Sequence, residues 1–460
     1  MIEKILLEKT LEKLTSKGCE FADIYLESKS TLGVVLDNKK IERITRGSRV
    51  GAGLRVIYDG RTYFAFTEDL SEKALFKIAG DLANKESGEN ILVKNKYELL
   101  EGTDDYLYNT NKEKGSLKEK ADLLIHLNEL AWRDKGSLIQ LTLTYGDVDQ
   151  EVYIMNSNGV YVHDKRPRVK SIIQGVFQKE KQIQSAYDVV GAVGDYGFIK
   201  TRNMESLLEG VKLKGENLLT AKEAPSGTMP VIVSGQAGGT MVHEACGHGL
   251  EADIVKKGMS VYGEKIGEKV ASELISVVDD GTIKGRYGTS YYDDEGTKTK
   301  ENILIENGIL KGYMSDLQSA IELGIEATGN GRREGYHAMP ITRMTNTYIS
   351  KGKDSEEDII ASIDNGLFVK HMGGGQVNTA TGDFVFEVSE GYLIKNGKIG
   401  EQVRGATLIG NGPDVLNKID MVANDFGYSL GTCGKDGQGA PVADGQPTLR
   451  IPSLVVGGTN

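Results

Sequence analysis

Glycine divides this chain. Of its 58 glycines, 19 lie in residues 1–222 and 39 in residues 223–460. Glycine weakens helix interiors and serves tight turns and close backbone approaches. The second part is therefore expected to consist of strands and turns. The change falls at Lys222-Glu-Ala-Pro-Ser-Gly-Thr228, a turn-rich stretch between a helical pattern and an apolar strand. A domain boundary is expected there. It gives an N-terminal α/β domain with a mixed sheet at 1–222 and a mainly antiparallel β domain at 223–460, an α+β protein overall.

Local patterns fill in the two parts. Residues 2–16 predict an amphipathic helix with Ile2, Ile5, Leu6, Leu11 and Leu14 on one side. Val34 to Val56 reads as short strands, and Asp59-Gly60 as a type I′ hairpin turn. Asp69 with Glu72, and Ser116 with Glu119, have capping-box spacing. Residues 138–190 read as an antiparallel run turning at Asn158-Gly159, and 204–221 as a third helix. In the second part, strand Val231–Ser234 leads through Gly235–Gly239 to a helix from Thr240. Asn307-Gly308 and Asn396-Gly397 predict hairpins, and Phe384, Phe386 and Val388 share one strand face. Gly373–Gly375 and Gly431–Gly439 read as loops.

Charge and length remove several functions. Lys and Arg total 55 against 66 Asp and Glu, a net charge of −11. That argues against a nucleic-acid or anionic-membrane coat. No apolar run reaches the roughly 18 residues of a membrane span. The N-terminal stretch MIEKILLEKTLEKL is charged throughout and is not expected to act as a signal peptide. Three cysteines, Cys19, Cys246 and Cys433, do not make a disulfide framework, so a cytoplasmic location is expected.

The strongest chemical signal is Met241-Val-His-Glu-Ala-Cys-Gly-His-Gly-Leu-Glu-Ala-Asp253, which holds His243-Glu244-x-x-x-His248. Two imidazoles beside a carboxylate suit a divalent metal, zinc first. The familiar zinc-protease motif spaces its histidines by four, which puts both on one helical face. Here the step is five, and at about 100° per residue an ideal α-helix turns the second ring roughly 140° away. Either a π-bulge realigns the pair or the helix ends before His248; an ending or irregular helix is the favoured reading. Gly247 and Gly249 make either distortion cheap. Glu244 would act as general base on the water and then protonate the leaving amine.

A catalytic zinc site keeps three protein ligands and one open position. The third ligand must come from elsewhere. Cys433, in Gly431-Thr-Cys-Gly-Lys-Asp-Gly-Gln-Gly439, is favoured, with Lys435 placed to stabilise its thiolate. Cys246 stays a possible ligand, although its small-residue setting favours packing. Cys19 reads as a buried apolar residue, and His126, His163, His337 and His371 as structural. Asp293-Asp294-Glu295 reads as an exposed acidic turn, and Gly373–Gly375 lacks the spacing of a phosphate loop.

The motif around His243 resembles the HExxxH signature of the TldD/PmbA metallopeptidases, on the TldD side. Further stretches resemble the same family: Gly51–Ile57 with Phe64–Ser71, Gly312–Leu317, Pro340–Asn346 and Gly431–Gly434. The resemblance covers nearly the whole chain. It implies His243, His248 and Cys433 as zinc ligands and Glu244 as the catalytic glutamate. It also implies a homodimer, or a heterodimer with a TldE/PmbA-like subunit, around a chamber that takes unstructured peptides, leader segments included. An extended peptide can pair with a free strand edge, and the Thr-rich stretch Ile341–Ile349 is a candidate for that edge. Two rivals follow from the same residues: a non-catalytic peptide-binding subunit, and a structural zinc site completed by Cys246 or His337.

Overall fold

The computed structural model describes residues 3–86, 98–102, 108 and 113–458. The first part contains α1 (Lys4–Leu14), β1 (Phe21–Asp37), β2 (Lys40–Tyr58), β3 (Arg61–Thr67), α2 (Glu72–Ala83), β4 (Glu98–Gly102), α3 (Leu117–Arg133), β5 (Leu138–Asn156), β6 (Val160–Lys179), β7 (Gln182–Val193), α4 (Tyr196–Lys200) and α5 (Met204–Thr220). Its strands form one mixed sheet in the order β3-β2-β1-β5-β6, with β4 and β7 both on β6. Only the β4–β6 pairing is parallel.

The region from Val34 to Val56 belongs to two long strands rather than several short ones. The turn between them, Asn38-Lys39, has both residues at positive φ (48° and 68°) and lacks the glycine that would mark it in the sequence. The first helix is rotated from expectation. Its buried stripe is Leu7, Thr10, Leu11 and Leu14, while Ile5 is 59% exposed and Ile2 lies outside the described residues. The i, i+3, i+4, i+7 spacing of that stripe is what seats the helix. Ser116 and Glu119 form a full capping box; α2 is capped by Ser71, not by Asp69.

Strand β1 shows how the sheet is used. Ala22, Ile24 and Leu26 join the core formed with α1 and α2, alongside Leu11, Leu54 and Leu75. Asp23, Tyr25 and Glu27 alternate with them and face the other way, toward the second part.

The second part runs through β8 (Lys222–Glu223), β9 (Gly227–Val233), α6 (Thr240–Val242), α7 (Ala252–Lys256), β10 (Val277–Asp280), β11 (Glu301–Glu306), β12 (Ile309–Leu310), α8 (Leu317–Leu323), β13 (Gly331–Arg332), β14 (Ile341–Thr342), β15 (Asn346–Ile349), α9 (Glu356–Ala361), β16 (Asn365–Val377), β17 (Asp383–Lys395), β18 (Lys398–Arg404), β19 (Thr407–Asn411), α10 (Gly412–Lys418), β20 (Met421–Val422), β21 (Gly427–Lys435), β22 (Gln438–Gln446) and β23 (Leu449–Gly457). Strands β16, β9, β23, β19 and β17 pair in that sequence, and β17 pairs back to β16, so they close a ring. Val231, Val233, Leu367, Phe384, Phe386 and Leu408 belong to the core shared by this ring and the helical segment after β9.

A second sheet has the order β12-β11-β10-β15-β22-β21, which leaves β21 at its end. Both glycine-rich stretches read as loops are strands: Gly373–Gly375 lies in β16, and Gly431–Gly439 is the β21–β22 hairpin around Asp436-Gly437. Ladder bonds use main-chain groups, which glycine supplies like any residue. Within the stretch Ile341–Ile349, β15 offers no free edge, because it lies between β10 and β22, while β14 pairs with β13 in a two-stranded sheet.

The two parts meet along a buried, charged seam. Arg55 bonds Asp23 and, at 2.7 Å, Glu295; Arg166 bonds Asp164 at 2.8 Å and also Asp294. The expected exposed acidic turn is thus wrong: Asp293, Asp294 and Glu295 are 2%, 4% and 0% exposed. Arginines brought by distant strands, and backbone N–H groups that bond Asp293, make their burial tolerable.

Candidate metal centre

The candidate residues are positioned by a close backbone approach. Gly239 N donates to Asp444 O at 3.0 Å, and a Cβ on Gly239 would sit 2.3 Å from Gly445 N. The helical segment therefore begins pressed against β22. It continues from α6 as a π-turn over His243–Gly247 and a 3-10 turn over His248–Leu250. The π-turn realigns i and i+5. The two imidazoles stand perpendicular with centroids 4.9 Å apart. Gly247 has ordinary helical angles, φ −51° and ψ −57°, so backbone freedom is not its role. It supplies space, since a Cβ there would lie 2.3 Å from Met344 Sδ.

Cys433 arrives on β21. Its Sγ is 3.2 Å from His243 Nε2 and 3.4 Å from His248 Nε2. The three atoms lie within 4.8 Å of one another. The outer nitrogens are held by carboxylates: His243 Nδ1 is 2.8 Å from Asp444 Oδ1, and His248 Nδ1 is 2.9 Å from Glu251 Oε2. Each carboxylate fixes its ring with Nδ1 as the donor and Nε2 facing inward.

The electrostatics follow from this packing. Burial pushes the Cys433 thiol up, but hydrogen bonds and charge from His243 and His248 outweigh it and bring the thiol down to about 5. Burial pushes His248 down, and Glu251 and Cys433 carry it up to about 9. His243 is likewise lifted well above its ordinary value by Asp444 and Cys433, against burial. The arrangement thus favours a thiolate facing two positive rings. A divalent cation would replace the two inner protons. The donor set fits zinc, whose usual Zn–N and Zn–S bonds at a tetrahedral angle separate N from S by roughly 3.5 Å.

Cys246 is no ligand. Its Sγ bonds Val242 O at 3.3 Å, and burial pushes its thiol up to about 12. The other histidines lie elsewhere. His126 pairs with Glu205, His163 with Glu151 and His371 with Glu390, while His337 packs edge-on to Phe66 and Tyr336. Among the described residues no fourth protein ligand joins His243, His248 and Cys433.

Glu244 lines a cleft of about 690 Å³ together with those three residues. Burial raises its carboxyl above the ordinary range, against the pull of His243 and His248. Gly374–Val377 of β16 and Gly431–Lys435 of β21 also line the cleft.

Glu251, Arg343 and Asp444 support the centre without having been expected there, and Lys435 does so by a different route from the one expected. Glu251 follows His248 by three, a helical-face spacing that the sequence does display. Lys435 does not address the thiolate directly; its Nζ bonds Glu251 at 2.9 Å, Asp253 at 2.6 Å and Thr342 O at 3.0 Å. It acts through Glu251 on His248. Buried Arg343 bonds the carbonyls of Cys433 and Gln438 and so pins the β21–β22 hairpin. Asp444 and Arg343 carry no local sequence signal.

Comparison with known proteins gives the family. A family model described as the PmbA/TldA metallopeptidase C-terminal domain matches residues 226–458. Models of domain 1 and of the central domain match 22–84 and 113–224. The chain belongs to the TldD/PmbA metallopeptidase family. Within that family it is 38% identical to a metalloprotease TldD homolog of Buchnera aphidicola subsp. Acyrthosiphon pisum, over 98% of this chain and 95% of that protein. It is 27% identical to a zinc metalloprotease TldD homolog of Saccharolobus solfataricus, over 98% of this chain and 99% of the other. Its fold matches the crystal structure of TldE from Thermococcus kodakarensis with a TM-score of 0.77 at 20% identity, covering 98% of this chain and 100% of that one.

Proposed function

We propose that this chain is a zinc-dependent metallopeptidase that hydrolyses peptide bonds in unstructured peptides or unfolded small proteins, leader segments included. The observation that carries the proposal is the convergence of His243, His248 and Cys433 within 4.8 Å, with Glu244 lining the same open cleft. The printed name of the Saccharolobus relative supports the choice of metal. Zinc, when bound, supplies polarisation of the peptide carbonyl and a lowered pKa for the attacking water. His243 and His248 would hold it through Nε2, and Cys433 through Sγ. Asp444 and Glu251 keep both rings in the tautomer that presents Nε2. Glu244 takes the proton from the attacking water and returns it to the leaving amine, a return favoured by its raised carboxyl.

The substrate lies extended along β21. That strand ends its sheet, so one edge has no partner strand among the described residues. Lys435 and Gln438 flank a two-residue turn, and the antiparallel alternation then points the main-chain groups of Thr432 and Gly434 to the open side. Main-chain pairing there gives affinity with little side-chain preference.

Residues 1–222 would form the dimerisation and chamber part, and 223–460 the catalytic part. The partner is a second copy or a TldE/PmbA-like chain, and the three free cysteines suit the cytoplasm. The alternative is a non-catalytic peptide-binding subunit of the same fold. The intact set of His243, Glu244, His248 and Cys433 favours the enzyme.

The deciding experiment is zinc per chain by elemental analysis on the native protein and on Cys433→Ala, with cleavage of an unstructured peptide measured on both. Near-stoichiometric zinc that falls in the variant together with cleavage supports the proposal. A native protein that takes up no metal when zinc is supplied moves the reading to the non-catalytic subunit.

A further inference from the structure

A second cavity, of about 240 Å³, lies where the two parts of the chain meet. Four arginines line it: Arg166 and Arg168 from β6, and Arg332 and Arg333 from β13 and the residue after it. All four are buried, at 4%, 7%, 6% and 5% exposure. Thr432 lines this cavity as well as the cleft of the candidate centre. The cavity and the cleft thus share a wall residue that is next to Cys433 in sequence.

The four guanidiniums are not equally paired. Arg166 has Asp164 and Asp294. Arg168 donates only to main-chain carbonyls, of Tyr287 at 3.0 Å and Thr289 at 3.2 Å. Arg332 likewise meets only the carbonyls of Met344 and, at 2.8 Å, Pro441. Neither has a carboxylate partner among the described residues. Arg333 bonds Asp294 O through Nη2, lies 3.8 Å from Asp23 Oδ2 and stacks over the Tyr25 ring, and its side chain is closed off from the cavity. Asp293 and Asp294, also on the wall, are engaged by backbone N–H groups and by Arg166. Arg168 and Arg332 thus place two buried guanidiniums on the walls without a carboxylate partner among the described residues, in a protein of net charge −11. Burial, and then the neighbouring Arg168, hold Arg332 down at about 9, as expected for crowded like charges.

We propose that this cavity is an anion subsite that seats a carboxylate of the bound peptide, through Arg168 and Arg332. The planar guanidinium matches a carboxylate in a two-bond fork, and a buried guanidinium gains most from such a partner. The carboxylate is either the peptide's C-terminus or an Asp or Glu side chain. The substrate role rests on the peptidase reading above; the anion site itself does not.

The test has two arms. In the first, the Glu244→Gln protein, loaded with zinc, is titrated calorimetrically with three unstructured peptides of one sequence: free acid, C-terminal amide, and amide with a glutamate as its last residue. The free acid is expected to bind roughly tenfold tighter than the amide. Recovery by the terminal glutamate would assign a side-chain carboxylate, and no recovery the C-terminus. Equal affinity of all three overturns the substrate role. Arg168→Gln in the same protein should erase the difference; a folded variant that keeps it also overturns the role.

In the second arm, acetate is titrated into the native protein at constant ionic strength while Tm is followed. A saturable rise supports the anion site even if no peptide is ever cut, and this arm needs no variant to fold. No rise overturns the site, whatever the fate of the peptidase reading.

Discussion

Two buried groups of charged side chains lie within this molecule, one along the seam between its parts and one at the candidate centre. In the seam Arg55 and Arg166 meet their opposites. Arg55 bridges Asp23 and Glu295, and Arg166 bridges Asp164 and Asp294. At the centre the acids stand behind the bases. Asp444 and Glu251 bond the outer nitrogens of two histidines and leave two nitrogens and a sulfur facing one another. Closed pairs fasten two surfaces; donors aimed at a common point describe a place for a cation. A third case sharpens the contrast. His371 also has a carboxylate behind it, Glu390, but among the described residues it belongs to no group of three metal-ligating side chains. A histidine–carboxylate pair alone is therefore a packing device.

These differences can be broken one at a time. Glu244→Gln is expected to keep zinc and lower peptide turnover by roughly 10²–10⁴-fold, the usual worth of a general base. Paired metal analysis and kinetics decide it, and full turnover would remove Glu244 from the chemistry. Next in size, Arg55→Ala should strand Asp23 and Glu295 without their cation and cost about 3–5 kcal/mol. Denaturant unfolding reads this, with zinc per folded chain unchanged. A midpoint equal to that of the native protein would mean that the seam is not what joins the parts.

Asp444→Asn touches the centre from behind. It should weaken zinc affinity by about 10–100-fold, measured by competition with a chelator. Equal affinity would leave Asp444 with no part in orienting His243. The smallest effect concerns Glu390. Burial pushes its carboxyl up, but bonds from His371, Tyr392 and Lys370 outweigh that and hold it well below the ordinary range. Its stabilisation is thus fully present above the ordinary carboxylate pKa and is lost as pH falls through the depressed value. Glu390→Gln should be less stable than native near neutral pH and converge on it in acid, with zinc content unaffected. A gap that widened in acid would contradict this account.

What the sequence displayed was mostly local. The hairpins at Asp59-Gly60 and Asn158-Gly159 and the cap at Ser116 depend on neighbours a few residues away, whereas the π-turn at His243–Gly247 was the alternative to the favoured ending or irregular helix. Cys433 was readable from its chemistry and the family resemblance, and the structure brings it to His243 and His248. The misreadings share one cause. Asp293-Asp294-Glu295 looked exposed because Arg166 and Arg55 come from 128 and 240 residues away. Asp444 and Arg343 were silent for the same reason, and nothing local announces that β10 and β22 flank Asn346–Ile349 within the expected edge Ile341–Ile349. Lys435 was rightly noticed, but its partners are the acids behind His248 rather than the sulfur.

The span of the centre along the chain also sets its timing. His243 is 190 residues from Cys433 and 201 from Asp444. Contacts so distant in sequence close large loops and form slowly. A chain that has made the π-turn but not yet docked the β21–β22 hairpin holds two histidines and no thiolate. Under the proposed function, hydrolytic competence would thereby be tied to completion of the tertiary fold, and a half-folded copy would be more exposed to cleavage than able to cut.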